Sequence, residues 1–163
     1  MEDLKIARFE KLPDTSFTLI VDDYVPLSMR TYDAPIGASY IRLGDFQTEL
    51  LELIVEPNTK ILRGFTLTCF KAVKTVPVRG NPIKGDGLPV FDVEFADRRR
   101  IDLVKELSVS CQAGSISIVW EAVDSMDCYE YNERLSFFLD NGGLVGVCAK
   151  GFAEGEVDLF LNR

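Results

Sequence analysis

Residues 50–70 read LLELIVEPNTKILRGFTLTCF and contain two apolar, β-rich runs on either side of a short polar segment. That segment, residues 57–60, supplies Pro, Asn and Thr, which favour a turn. In the second run, residues 65–69 alternate between apolar side chains and threonine, with the two-residue period of a strand. The stretch therefore predicts a β-hairpin. Its β-rich continuation and Pro57 favour a strand over a helix for residues 46–53.

Two further segments have the same organisation of strand, polar turn and strand. Residues 107–111 and 116–120 alternate on either side of Gln-Ala-Gly-Ser. Residues 135–139 and 144–148 flank Asp-Asn-Gly-Gly, whose Asn-Gly pair is the strongest short-range hairpin signal in the chain. Single strands are also predicted at residues 17–21, 39–43 and 90–95.

The remaining segments predict little regular structure. Residues 77–89 are crowded with proline and glycine and predict a long loop. Residues 153–161 predict one short helix with acidic residues near its start, and residues 98–105 fit either type of element. We therefore predict a mainly β fold in which antiparallel hairpins form a sandwich or a strongly curved, partly closed sheet. At most one or two short helices accompany it, in a single domain spanning residues 1–163.

The chain contains no histidine. This excludes Ser-His-Asp and Cys-His nucleophile pairs as well as HExxH metal sites. The four cysteines, Cys69, Cys111, Cys128 and Cys148, form no CxxC pair and have no histidine to complete a zinc site. The apolar neighbours of Cys69 and Cys148 favour buried free thiols. We expect a binding protein and not an enzyme, with no catalytic residue, metal or cofactor.

The net charge is −8, from 26 acidic and 18 basic residues. The acids are concentrated in residues 1–59 and 121–163, whereas residues 60–105 are basic on balance. Because nucleic-acid binding depends on basic contacts to phosphate, the overall charge disfavours nucleic acid and favours a basic partner. The alternative interpretation is that the acidity only maintains solubility.

No apolar stretch approaches the roughly 20 residues that a membrane-spanning helix requires. Residues 1–5 are acidic and precede no apolar run, unlike a signal peptide. We therefore expect a cytoplasmic protein that does not associate with the membrane.

Residues 121–133 are the segment with the clearest functional pattern, because five acids and two tyrosines occur there without a single base. Tyrosine offers rigid contact area, and carboxylates steer and hydrogen-bond Lys and Arg side chains of a partner. The alternative is a solvated strand and loop with half-buried tyrosines. Asp22 and Asp23, next to Tyr24, show the same combination of acids with a tyrosine. The predicted partner-binding residues are Asp124, Asp127, Tyr129, Glu130, Tyr131 and Glu133, with Asp22 and Asp23 in support.

Two stretches resemble known proteins. Residues 52–67, ELIVEPNTKILRGFTL, look like the strand-turn-strand of small β-rich bacterial immunity proteins, and residues 134–147, RLSFFLDNGGLVGV, are similar to a closing hairpin in them. Immunity proteins of this kind accompany polymorphic or contact-dependent inhibition toxins. The resemblance implies a cytosolic protein that binds and blocks a toxin domain, often a basic nuclease. It carries over no signature residue.

Three functions follow as hypotheses. The first is a binding protein that neutralises a basic toxin by covering it with an acidic surface. The second is a structural or assembly module that forms homo-oligomers through its sheets. The third is a carboxylate-dependent hydrolase acting on sugars, whose two acids would come from residues 121–133.

Overall fold

The computed structural model describes residues 4–14, 16–31, 37–74, 78–97, 99–121 and 123–162. The first strands along the chain are β1 (Leu4–Glu10), β2 (Phe17–Ile20), β3 (Leu27–Thr31), β4 (Ser39–Gly44), β5 (Leu50–Val55), β6 (Leu62–Cys69), β7 (Val73–Lys74) and β8 (Asn81–Lys84). They are followed by β9 (Leu88–Phe91), β10 (Arg100–Val104), β11 (Ser108–Gln112), β12 (Ser115–Val119), β13 (Asp127–Glu130), β14 (Leu135–Asp140), β15 (Gly143–Ala149) and the helix α1 (Glu154–Leu161).

All three predicted hairpins are confirmed. Strand β5 pairs antiparallel with β6, β11 with β12, and β14 with β15. The turn between β14 and β15 has Asn141 at φ 48° and Gly142 at φ 78°. Two consecutive positive φ angles match the twist of a two-residue hairpin turn, which explains why Asn-Gly occupies this position.

The strands form two mixed sheets, neither of which closes on itself. The six-stranded sheet has the order β10-β4-β5-β6-β3-β2. The nine-stranded sheet has the order β7-β11-β12-β15-β14-β13-β8, with β1 pairing both β15 and β9. The predicted fold class is confirmed: the protein is mainly β, has one short helix in its described part, and is consistent with a sandwich. The pairings β10–β4, β11–β7 and β13–β8 are parallel, so the expectation of antiparallel pairing alone is incomplete.

The segment predicted as a long loop was assigned incorrectly. Residues 81–84 form β8 and residues 88–91 form β9. Strand β8 lies at the edge of its sheet, where Pro82 is tolerated because one side of the strand needs no backbone donor. The ambiguous stretch 98–105 contains β10. The predicted strand over residues 90–95 ends at Phe91, and residues 46–49 precede β5 instead of forming part of it.

The main core lies between the two sheets. It includes Leu53 and Phe65 of the six-stranded sheet and Phe137 and Val147 of the nine-stranded sheet. The predicted terminal helix is confirmed, and its buried Phe160 stacks on Phe70 with ring centroids 4.9 Å apart. None of the helical structure in the described ranges is long and apolar enough to cross a membrane.

A smaller apolar cluster lies on the opposite face of the nine-stranded sheet. We call it the outer cluster, and the face that bears it the outer face; the cluster contains Phe138, Val145 and Cys148, with Val78, Val119, Met126 and Cys128 packed against them. The four cysteines are free thiols. Burial is confirmed for Cys148, whereas Cys69 is partly exposed, contrary to the prediction.

The nine-stranded sheet is bent across its strands. Strands β7 and β8 lie at opposite ends of a seven-strand path, and six spacings of about 4.8 Å would set them roughly 29 Å apart if the sheet were flat. Lys74 and Asn81 are seven positions apart, which limits their Cα separation to about 25 Å. Since Val78 packs on the outer cluster, the concave side of the bend is the outer face.

Asp45 organises the turn before β5. Its carboxylate accepts hydrogen bonds from the backbone N–H groups of Gln47, Thr48 and Glu49 at 2.9, 2.7 and 2.8 Å. The Thr48 hydroxyl and these three donors lower the pKa of Asp45. The turn positions Glu49, a buried carboxylate that accepts the Leu107 backbone N–H at 3.3 Å.

We predict that Asp45→Asn lowers the free energy of unfolding at neutral pH. The same substitution should make that free energy fall less steeply as the pH is lowered. Because the folded-state pKa lies below the unfolded value of about 3.9, the contribution of Asp45 is present above that pH and is lost as the pH falls further. Urea unfolding of the native chain and the variant between neutral and acidic pH measures this difference. Parallel stability curves for the two proteins would contradict the assignment.

Candidate functional site

Strand β13 places the centre of the acidic segment between β14 and β8. Because side chains alternate along a strand, Asp127 and Tyr129 point to one face and Cys128 and Glu130 to the other. Tyr129 belongs to the main core, whereas Cys128 packs on the outer cluster. The acids of this strand are therefore divided between two faces.

Tyr129 is a core residue. Its side chain is only 9% exposed, and its ring stacks on Phe9 with a centroid distance of 3.8 Å and an interplanar angle of 11°. Its hydroxyl oxygen accepts the backbone N–H of Gly87 at 3.1 Å. The burial of Tyr129 argues against the predicted partner contact, because both its apolar ring and its polar group are satisfied inside the protein.

Tyr131 lies at the boundary between core and solvent. Its ring lies beside Phe17 with centroids 6.5 Å apart, and its backbone N–H donates to the Leu135 carbonyl at 3.0 Å. Burial raises the pKa of Tyr131, and Tyr129 and the negative charges of Asp86 and Asp14 raise it further. The phenol is therefore neutral at physiological pH and lies within the field of two carboxylates.

Asp14 and Asp86 are site residues that the sequence did not reveal. Asp14 accepts the Ser16 backbone N–H at 2.8 Å, and this hydrogen bond lowers its pKa. Asp86 is exposed, and Lys11 lies 3.3 Å from it. Both acids belong to short polar turns distant in sequence from Tyr131, and only the pairing of β8 with β13 and the packing of Phe17 bring them close to it.

The turn after β13 fixes the position of Glu133. The Asn132 side-chain oxygen accepts the backbone N–H groups of Arg134 and Leu135 at 2.8 and 2.9 Å. This Asx-type arrangement holds the turn, and Glu133 remains exposed on it. We define the Tyr131 surface as Tyr131 with Asp14 and Asp86, whose charges act on its phenol, and Glu133 on the adjoining turn.

The other predicted contact residues lie elsewhere. Asp124 is exposed in the connection between β12 and β13, and Asp127 is partly buried at the start of β13. Asp22 and Asp23 follow the end of β2 that is remote from Phe17, about 10 Å or more away along the strand. There the Asp22 carboxylate accepts the Tyr24 backbone N–H at 2.6 Å. The continuous acidic surface considered from the sequence is therefore divided. Of the predicted residues only Tyr131 and Glu133 lie together, because Glu130 points with Cys128 to the opposite face of the sheet.

The chemistry available at the Tyr131 surface is that of recognition. It offers carboxylate acceptors, one neutral phenol and a partly buried ring, a combination suited to ammonium and guanidinium groups. Within the described ranges, no three Cys, Asp or Glu side chains gather in a way that could hold a metal ion. No family model matches the chain, and a comparison with curated proteins gives no significant match.

Proposed function

We propose that this protein is a binding protein that captures a basic protein partner through the Tyr131 surface. The observation on which the proposal rests is the half-buried Tyr131 phenol, held within the field of Asp14 and Asp86 on a chain of net charge −8. A tyrosine anchored on Phe17 loses little conformational freedom on binding. Exposed carboxylates around it accelerate the approach of a cationic partner and select against anionic ones.

The proposed partner is a toxin domain, as the resemblance to immunity proteins implies. An inhibitor of a toxic enzyme must associate quickly, and attraction between opposite charges can raise association rates well above those of neutral pairs. Covering a basic active site with the Tyr131 surface would prevent its substrate from entering. Substrate turnover that depends on a single carboxylate of residues 121–133 would instead favour the hydrolase hypothesis.

We predict that Asp86→Lys combined with Glu133→Lys weakens partner binding by roughly 10–100-fold, or about 1.4–2.8 kcal/mol. Both residues are exposed, so the fold should persist. The matched control is Asp92→Lys combined with Glu94→Lys, which also changes two exposed acids. One acid of each pair faces a lysine, Lys11 for Asp86 and Lys60 for Glu94. Each double variant changes the net charge from −8 to −4, since every substitution adds two positive charges.

The measurement begins with the native chain as bait in an extract of the source cells, with captured proteins identified by mass spectrometry. Binding of the captured protein to all three chains is then titrated at low and high salt. The proposal expects a basic protein that binds the native chain and the control equally and binds the Tyr131-surface variant weakly, with a smaller salt dependence. Equal affinity for all three chains, equal weakening in both variants, or an acidic partner would contradict it.

A further inference from the structure

The outer face of the nine-stranded sheet is lined by small polar side chains. Strands β11, β12, β15, β14 and β13 lie side by side in this sheet. Residues that are paired across neighbouring strands point to the same face of the sheet. One such row contains Ser110, Ser117, Cys148, Ser136 and Glu130. Three hydroxyl groups and one thiol therefore make part of this face polar, beside the apolar outer cluster.

The three serines and Cys148 of this row line a recess of about 440 Å³ on the concave side of the sheet, whereas Glu130 lies outside the lining. Its volume lies within the range of small-molecule sites. Phe138 and Val78 provide an apolar part, whereas Gln112 and the serines provide hydrogen-bonding groups. Among the described residues that line the recess, the charged ones are Arg79 and Lys150, and none is a carboxylate. Both charged lining residues are therefore basic, in a chain that is acidic overall.

Ser136 is an unsatisfied polar residue in this lining. It is 0% exposed, and its hydroxyl oxygen has no hydrogen-bond partner of good geometry. Its polar neighbour is the Cys128 thiol, which is a weak hydrogen-bonding group. Leaving a buried hydroxyl without a full partner costs about 1–3 kcal/mol, so a group that supplies one would be stabilised here.

Lys150 is directed towards the same place. Burial raises the pKa of both Cys128 and Cys148, and the positive charge of Lys150 opposes that rise at both thiols. Lys150 also lines the recess together with both thiols. The described lining contains no carboxylate to neutralise it, although Glu130, outside that lining, also acts on Cys128 and raises the pKa of that thiol.

We propose that this recess binds a small organic anion in which a carboxylate or phosphate group is attached to a compact apolar body. Lys150 and Arg79 neutralise the oxyanion, the serine hydroxyls and Gln112 hydrogen-bond it, and Phe138 and Val78 contact the apolar body. The site lies on the outer face and does not depend on the Tyr131 surface, so either proposal can fail without the other.

Thiol alkylation followed by mass spectrometry of the peptides tests this proposal on the intact chain. Cys128 reports on the recess, and Cys69, which is also partly exposed but lines a different recess, is the internal control. The probes are benzoate and phenyl phosphate, which distinguish a carboxylate from a phosphate ligand, with neutral benzyl alcohol as the uncharged comparison. If an anion binds with a dissociation constant of about 2.5 mM, about 10 mM of it should slow the labelling of Cys128 about fivefold.

The proposal expects at least one of the two anions to protect Cys128 and not Cys69. It also expects Lys150→Gln to abolish protection while Lys84→Gln, which removes an exposed charge outside the recess lining, preserves it. Protection is the ratio of labelling rates with and without anion in each variant, so a change in basal thiol reactivity does not affect it. Absence of protection by both anions, equal protection by benzyl alcohol, equal slowing at Cys69, or persistence in Lys150→Gln would overturn the proposal.

Discussion

Replacing Phe137 by alanine is expected to lower the free energy of unfolding by about 3–5 kcal/mol, a large fraction of the stability of an ordinary domain. Phe137 is 0% exposed at the centre of β14, where Tyr129 of β13 and Val147 of β15 are its cross-strand neighbours. Strands on both sides hold the backbone in place, so the surrounding residues can collapse only partly into the space left by the ring. The lost transfer free energy of the ring and the cavity that it leaves therefore both lower the free energy of unfolding.

The adjacent residue provides a matched control for this prediction. Ser136 is equally buried but points to the outer face, and its hydroxyl lacks a hydrogen-bond partner of good geometry. Removing an unsatisfied hydroxyl without leaving a partner behind should change stability little or increase it slightly. Guanidinium unfolding of both variants can be followed by the fluorescence of the single tryptophan, Trp120, which is buried. Comparable losses of unfolding free energy in Ser136→Ala and Phe137→Ala would contradict this division of the sheet into two faces.

The three hairpins could be predicted from sequence because their determinants are local. The Asn141-Gly142 turn fixes its own backbone geometry, and the runs on either side of it pair with near neighbours in the chain. The parallel strands β8 and β10 could not be predicted in this way. Pro82 and the glycines around β8 indicate a loop, and only its distant partner β13 makes residues 81–84 a strand. Such pairing depends on the whole topology, to which short sequence patterns are insensitive.

The same limit applies to the candidate site. Five acids and two tyrosines in residues 121–133 were sufficient to locate an unusual segment, but not to decide which tyrosine is buried. Tyr129 lies within β13 and stacks on Phe9, whereas Tyr131 follows the strand and reaches the surface. Asp14 and Asp86 approach Tyr131 from other parts of the chain, and their local sequences resemble ordinary turns.

Gly85→Ala is expected to lower the free energy of unfolding by about 2–4 kcal/mol and to disturb the Tyr131 surface at the same time. A Cβ atom at Gly85 would overlap the hydroxyl oxygen and ring of Tyr129. That side chain cannot move aside easily, because its ring is buried and stacks on Phe9 and its hydroxyl oxygen accepts the Gly87 N–H. Displacing it would leave a buried donor unpaired, and it would shift the turn that holds Asp86 relative to Tyr131.

Gly155→Ala is the appropriate control, since a Cβ atom at this helical position would contact nothing within 4 Å. Alanine has the higher helix propensity, so this variant should equal the native chain or exceed it by up to about 1 kcal/mol. The comparison combines chemical unfolding with a spectrophotometric titration of the tyrosines. In Gly85→Ala the raised pKa of Tyr131 should move towards the ordinary value of about 10, because displacing Tyr129 opens the site to water and separates Asp86 from the phenol. Native stability together with an unchanged titration would show that the contact between Gly85 and Tyr129 does not hold the Tyr131 surface in place.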